Sequence, residues 1–115
     1  SYIYIEGSDS KVGDKARLAS GWLSAKETLC LQFWYHMYGR DIGSLRILMK
    51  TNQSEDVWPV IWHEKGNEYD VWRFGQTPLK PDGMNKYQII IEGEAKGGFQ
   101  GDIAVDDIKV YDGSC

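Results

Sequence analysis

No apolar run in this sequence approaches the roughly eighteen residues that cross a bilayer as a helix. Its first residues, SYIYIEGSDS, carry neither a basic start nor a long apolar stretch, so they read as a strand and not as a leader. Basic blocks are missing too. Lys and Arg number 13 against 17 Asp and Glu, giving a net charge of −4, which removes the electrostatic footprint of a binder of nucleic acid or of an anionic membrane. Histidine is scarce: only His36 and His63 could act as imidazole bases. Each sits in a strand-like run beside aromatics, with no nucleophile motif around it, and reads as structural. The two cysteines, Cys30 and Cys115, are too few and too far apart for a zinc knuckle or a CxxC redox site, and the two histidines add no ligand spacing. Heptads, a sustained period of 3.6 and internal repeats are also absent, which argues against a helical domain.

What the chain does have is aromatic and β-branched mass. Five Trp, seven Tyr and three Phe, with 42% apolar residues in all, give a chain of 115 residues enough to fill one dense core over 1–115. Short runs rich in Tyr, Ile, Val and Trp recur between clusters of Gly, Asp, Asn and Pro, the pattern of an all-β sandwich. Strands are expected at 1–6, 15–23, 28–38, 44–51, 57–64, 69–79, 86–95 and 102–112. Pro59 pushes its run to a sheet edge or a bulge, because proline cannot donate to a ladder. The run 28–38 is apolar on both faces and belongs in the middle of a sheet; 86–95 alternates and is expected to turn one face to solvent. The chain opens without Met inside a strand-like alternation, as a piece of a longer protein would.

Several residues invite a chemical reading. The cysteine pair suits either one disulfide or two reduced thiols; Asn52-Gln53-Ser54 is an N-x-S glycosylation acceptor at Asn52, and together they favour an extracellular chain. The four glycines of GEAKGGFQG open no helix and mark a turn, not a phosphate cradle. Trp58, Trp62 and Trp72 fill the core or present indole platforms to sugar rings; Trp58 and Trp62 lie an even distance apart and so share a face. Asp106 and Asp107 interrupt an alternation of Ile103 and Val105 with Ile108 and Val110, so one of them is expected to point where apolar residues point. A buried carboxylate needs donors or a cation, and an all-oxygen site suits Ca²⁺; the rival account is a bulge that turns the second Asp outward. Glu64, Glu92 and Glu94 are strand-borne carboxylates, but no motif supports hydrolysis, and the chain is expected not to be an enzyme.

The order of YIYIE…ARLAS, CLQFWYHMYGRDIGSLRI (30–47), YQIIIEGE (87–94) and GDIAVDDIKV…C (101–115) resembles the MAM domain, the module named for meprin, A5 antigen and receptor tyrosine phosphatase mu. The resemblance runs from the first residue to the last. It implies a jelly-roll β-sandwich of two antiparallel sheets, a Cys30–Cys115 disulfide, and a non-catalytic extracellular module for protein–protein interaction or adhesion. Its expected partners are other extracellular proteins or neighbouring domains of the same parent, homophilic contact included, with no required cofactor. Some members hold a cation near the acidic C-terminal strand, and Asp106 matches the first Asp of that motif. The family's N-terminal segment, with its own cysteine pair, has no counterpart here, so a strand edge or core groove is expected to lie uncovered. Arg40, Asp41 and the stretch from Trp58 to Trp72 are the contact residues to examine. The competing function is a carbohydrate-binding jelly roll using exposed Trp58, Trp62 or Trp72.

Overall fold

The computed structural model describes residues 2–6, 15–24, 28–38, 42–51, 58–66, 70–80, 86–95 and 102–115. Among them run nine strands: β1 (Tyr2–Glu6), β2 (Lys15–Ala19), β3 (Leu23–Ser24), β4 (Leu29–Tyr38), β5 (Ile42–Thr51), β6 (Val60–Lys65), β7 (Arg73–Leu79), β8 (Lys86–Ala95) and β9 (Asp102–Asp112). They form a jelly-roll sandwich of two antiparallel sheets, ordered β1-β9-β4-β7 and β2-β8-β5-β6, with β3 also pairing β8. Each expected run carries a strand. The run 15–23 is broken at Ser20, whose hydroxyl accepts from the Ile89 N–H at 2.9 Å and so takes a place in the ladder that backbone would otherwise hold.

Strand β4 shows why the layers face each other. Leu29, Leu31, Phe33, Tyr35 and Met37 occupy alternate positions and are buried, whereas Trp34 and Tyr38 on the other face are exposed. The inward set packs on Leu45, Ile47 and Met49 of β5 and on Tyr87, Ile89 and Ile91 of β8. Each fully buried side chain of this kind stabilises the fold by roughly 1.5–3 kcal/mol. Trp62 closes the core over Phe33 and Tyr35, edge-on, with ring centroids 4.9 and 5.1 Å away. Gly75, opposite Phe33 in the register, has no room for a side chain: a Cβ would lie 2.5 Å from the Phe33 ring. As its composition requires, β4 is an inner strand of its sheet.

The second sheet departs from expectation on its outer face. Strand β8 turns neither face to solvent: Ile90 is 4% exposed and Glu92 only 2%. Cross-strand neighbours cover that face. Arg17 on β2 and Arg46 on β5 both pair in register with Glu92 and bind its carboxylate at 2.6 and 3.3 Å, and Arg46 also reaches Glu94 at 3.2 Å. A buried acid is tolerable there because two guanidiniums satisfy it. Strand β6 lies at the sheet edge, with Pro59 just before it; the Pro59 carbonyl still accepts from the Met49 N–H at 3.0 Å. A bulge in β6, where Ile47 pairs Trp62 but Leu48 pairs Val60, reverses the alternation. Trp58 and Trp62 therefore do not share a face. Trp62 turns inward, and Trp58 lies against Arg17 and Lys50, whose cationic groups sit 5.4 and 5.2 Å from its ring centroid.

Cys30 and Cys115 are bonded, across a sequence separation of 85. The tie lies within one sheet: Cys30 is on β4, and the tail that follows β9 returns to it, with the Gly113 N–H donating to the Thr28 carbonyl at 2.8 Å. Gly113, at φ 94°, makes that return. Along one long side, Thr77 of β7 donates to the Ile61 carbonyl of β6 at 3.3 Å and joins the two sheets. The opposite side gapes. The β1 ladder ends at Tyr2 opposite Asp106, and an apolar groove of about 240 Å³ opens between Leu18 of β2 and Ile108 and Val110 of β9, all three exposed. Among the described residues nothing covers it.

Candidate functional site

The paired acids of β9 meet the exposed aromatics of β4 and β7 on the outer face of the first sheet. Between Gln32, opposite Lys109, and Trp34, opposite Asp106, β4 has one residue where β9 has two. Asp107 and Ile108 together face Phe33, which is a bulge. The phase slip in the sequence, from apolar residues at odd positions to apolar residues at even ones, is this extra residue. Asp107 takes φ 57°, a left-handed conformation that Asp adopts more readily than β-branched residues, and its N–H donates to Asp106 Oδ1 at 2.7 Å. Neither carboxylate points into the core. Asp106 is half-buried on the outer face, Asp107 is exposed, and Lys109 Nζ stands 3.7 Å from the Asp107 carboxylate.

Trp34, Trp72, Asp106 and Asp107 line one shallow depression of about 330 Å³. Trp34 is 41% and Trp72 44% exposed, and both indoles are held from behind. Trp34 packs edge-on against Phe74 at 5.4 Å, while Trp72 lies against the His36 ring at 5.4 Å. His36 is in turn fixed by Asp70, with its Nε2 2.8 Å from the carboxylate. Phe74 and Tyr38, both exposed, extend the aromatic surface along the sheet. The result is an apolar stripe with two carboxylates at one border, able to stack on flat or cationic groups and to accept hydrogen bonds.

Three of the residues singled out by sequence, Trp72, Asp106 and Asp107, thus come together, while Trp58 and Trp62 lie elsewhere, half-buried. Arg40, Asp41 and Asn52 fall outside the described residues. Sequence reasoning missed Trp34 and Phe74 as site residues. The available signal was the even-numbered positions of β4, where Trp34, His36 and Tyr38 follow one another on the face opposite the core. Among the described residues the depression does not assemble a full donor set for a structural Ca²⁺. The ion takes six to eight oxygens, whereas the depression offers two adjacent carboxylates, one oxygen of which already accepts from the Asp107 N–H. No group of three or more His, Cys, Asp or Glu side chains converges among the described residues.

The model of one domain family, MAM domain, meprin/A5/mu, matches residues 1–115. MAM domain-containing glycosylphosphatidylinositol anchor protein 1 of Gallus gallus is 38% identical over 99% of this chain, and neuropilin-1 of Xenopus laevis 39% identical over 96%. The chain spans 12% of the length of each of these relatives. Among solved structures, a family 16 carbohydrate-binding module superposes with a TM-score of 0.64 at 13% identity, covering 93% of this chain and 73% of its own. Another such module, solved in complex with β-1,4-galactotriose, superposes with a TM-score of 0.60 at 11% identity, covering 97% and 69%. At such identities the likeness is one of fold. With its motifs, its register and its disulfide in the places described above, and with the family model matching it end to end, this chain belongs to the MAM domain family.

Proposed function

We propose that the chain is a non-catalytic extracellular interaction module of a larger protein, and that it meets its partner through the outer face of the β1-β9-β4-β7 sheet. The observation that carries this is the aromatic stripe of Trp34, Tyr38, Trp72 and Phe74, all exposed on one sheet face. Soluble proteins rarely leave a large contiguous apolar surface unused, and Trp and Tyr dominate the energetic centres of interfaces. Membership of the family supports the extracellular setting, as do the disulfide and relatives whose names describe an anchored surface protein and a neuropilin. A non-catalytic role is supported by the acids themselves: Asp106 and Asp107 are neighbours on one bulge, whereas glycoside hydrolysis needs two carboxyl groups flanking a bond from opposite sides.

The test is binding of the clustered, disulfide-bonded chain to cell surfaces, with self-association followed in parallel by sedimentation. Replacing both Trp34 and Trp72 by Ala weakens surface binding by about tenfold or more, as loss of interface aromatics does. Unchanged binding sinks this assignment of the face. Carbohydrate recognition is the second reading, favoured by one observation: two half-exposed indoles stand beside hydrogen-bond-accepting carboxylates. Saturable quenching of tryptophan fluorescence by a neutral β-linked oligosaccharide, lost in Trp72→Ala, supports it; the absence of quenching across such sugars removes it.

A further inference from the structure

We infer that His36 and Asp70 are positioning residues: without touching the partner, they set how Trp72 is presented to it; this rests on the interaction face proposed above. The two indoles that wall the depression are supported unequally. Trp34 lies on β4 between two ladders, in register with Asp106 of β9 and Phe74 of β7, so its backbone is fixed from both sides. Trp72 lies one residue before β7, where the ladder to β4 has ended at Arg73 opposite Tyr35 and the chain bends through Asp70 and Val71. Strand pairing does not hold it. An imidazole does, at two points. One further step of the same register sets Trp72 opposite His36, and the two rings stand 5.4 Å apart, inclined by 42°. Two residues earlier in the same segment, Asp70 meets the edge of that ring, its carboxylate accepting from the His36 Nε2–H at 2.8 Å. The face of one ring thus backs the indole while its edge anchors the segment that carries it.

His36 can serve as the anchor because it projects from an inner strand and is largely covered, at 19% side-chain exposure. Asp70 is the opposite case: at 71% exposure its side chain fills no cavity, so removing it takes away the tether and little else. What the tether supplies is preorganisation. A side chain that must be ordered on binding subtracts that cost from affinity, whereas one already held does not. Trp72 has an interaction of its own besides, so loss of the bond loosens the indole without releasing it. The expected weakening of binding is therefore about three- to tenfold, the range that ordering one large side chain covers.

The experiment combines the cell-surface assay with indole N–H resonances of the oxidised, isotope-labelled chain, those of Trp34 and Trp72 assigned by Trp34→Phe and Trp72→Phe. Asp70→Ala, and His36→Phe, which keeps a ring behind Trp72 but no donor, each move the Trp72 resonance and leave that of Trp34 in place. Each weakens surface binding about three- to tenfold, and the double variant binds no more weakly than either single one, because both changes break the same bond. Asp70→Asn, whose carbonyl still accepts from the imidazole, keeps binding within about twofold of the parent. A partner contact at Asp70 would instead let Asp70→Ala weaken binding again in the His36→Phe background, and a long-range charge effect would make Asn fail as Ala does; either result overturns the inference. So does a Trp72 resonance that neither change moves. If replacing both Trp34 and Trp72 by Ala leaves surface binding unchanged, the interaction face falls, and the Trp72 resonance, which needs no partner, still decides whether the pair holds the indole.

Discussion

Asp107 and Gly75 each hold a backbone position that most side chains could not. At φ 57° the Asp107 peptide is left-handed, so Asp107→Val costs about 1–2 kcal/mol while Asp107→Gly is close to neutral. Urea unfolding of the two variants checks the order, and equal loss in both would mean that the carboxylate matters and the dihedral does not. Gly75→Ala puts a methyl against the Phe33 ring, where a Cβ would lie 2.5 Å from ring carbons, and costs about 1–3 kcal/mol by overpacking. In a Phe33→Leu background, which trims the ring, the same change costs less; additive losses would count against a direct clash. These positions were only half legible. The Asp doublet and the phase slip were visible in the sequence, but which of the two acids is the extra residue depends on how β4 pairs with β9. Nothing local to Gly75 announces that Phe33 stands over it.

At the scale of elements, the strand runs were readable because alternation and turn residues are local signals, and β4 was placed centrally from its two apolar faces. The outer face of β8 was misread. A Glu at every second position looks solvated until Arg17 and Arg46 arrive from neighbouring strands that are 75 and 46 residues distant in sequence. Breaking such a buried pair from one side costs about 3–5 kcal/mol in full burial; because both guanidiniums keep solvent contact, Glu92→Ala is expected to cost about 2. The loss should appear as a lower urea midpoint with unchanged slope, and a variant within a few tenths of the parent would mean that water satisfies the arginines just as well. Trp58 and Trp62 were assigned a common face from their spacing, and the bulge in β6 separated them. Periodicity fixes faces only while the ladder is unbroken.

For the whole molecule, the Cys30–Cys115 bond restricts the unfolded chain. A sequence separation of 85 gives about 4–5 kcal/mol in the chain-entropy account of cross-linking. Reduction, or replacement of both cysteines by Ser, is expected to lower the melting temperature by about 15 °C or more. A shift of only a few degrees would mean that the β4–β9 ladder holds that end of the chain unaided. The sequence by itself determined the all-β class, the positions of the strands, the family and the residue types gathered on β9, because these depend on patterns within a few residues or on motifs carried whole. Only the tertiary structure decided which acids face solvent, which tryptophans stack over the core, and that Trp34, Trp72, Asp106 and Asp107 line one depression. Residues as far apart in the chain as Leu29 and Asp112 come side by side in a sheet, and a single bulge in one strand exchanges its faces.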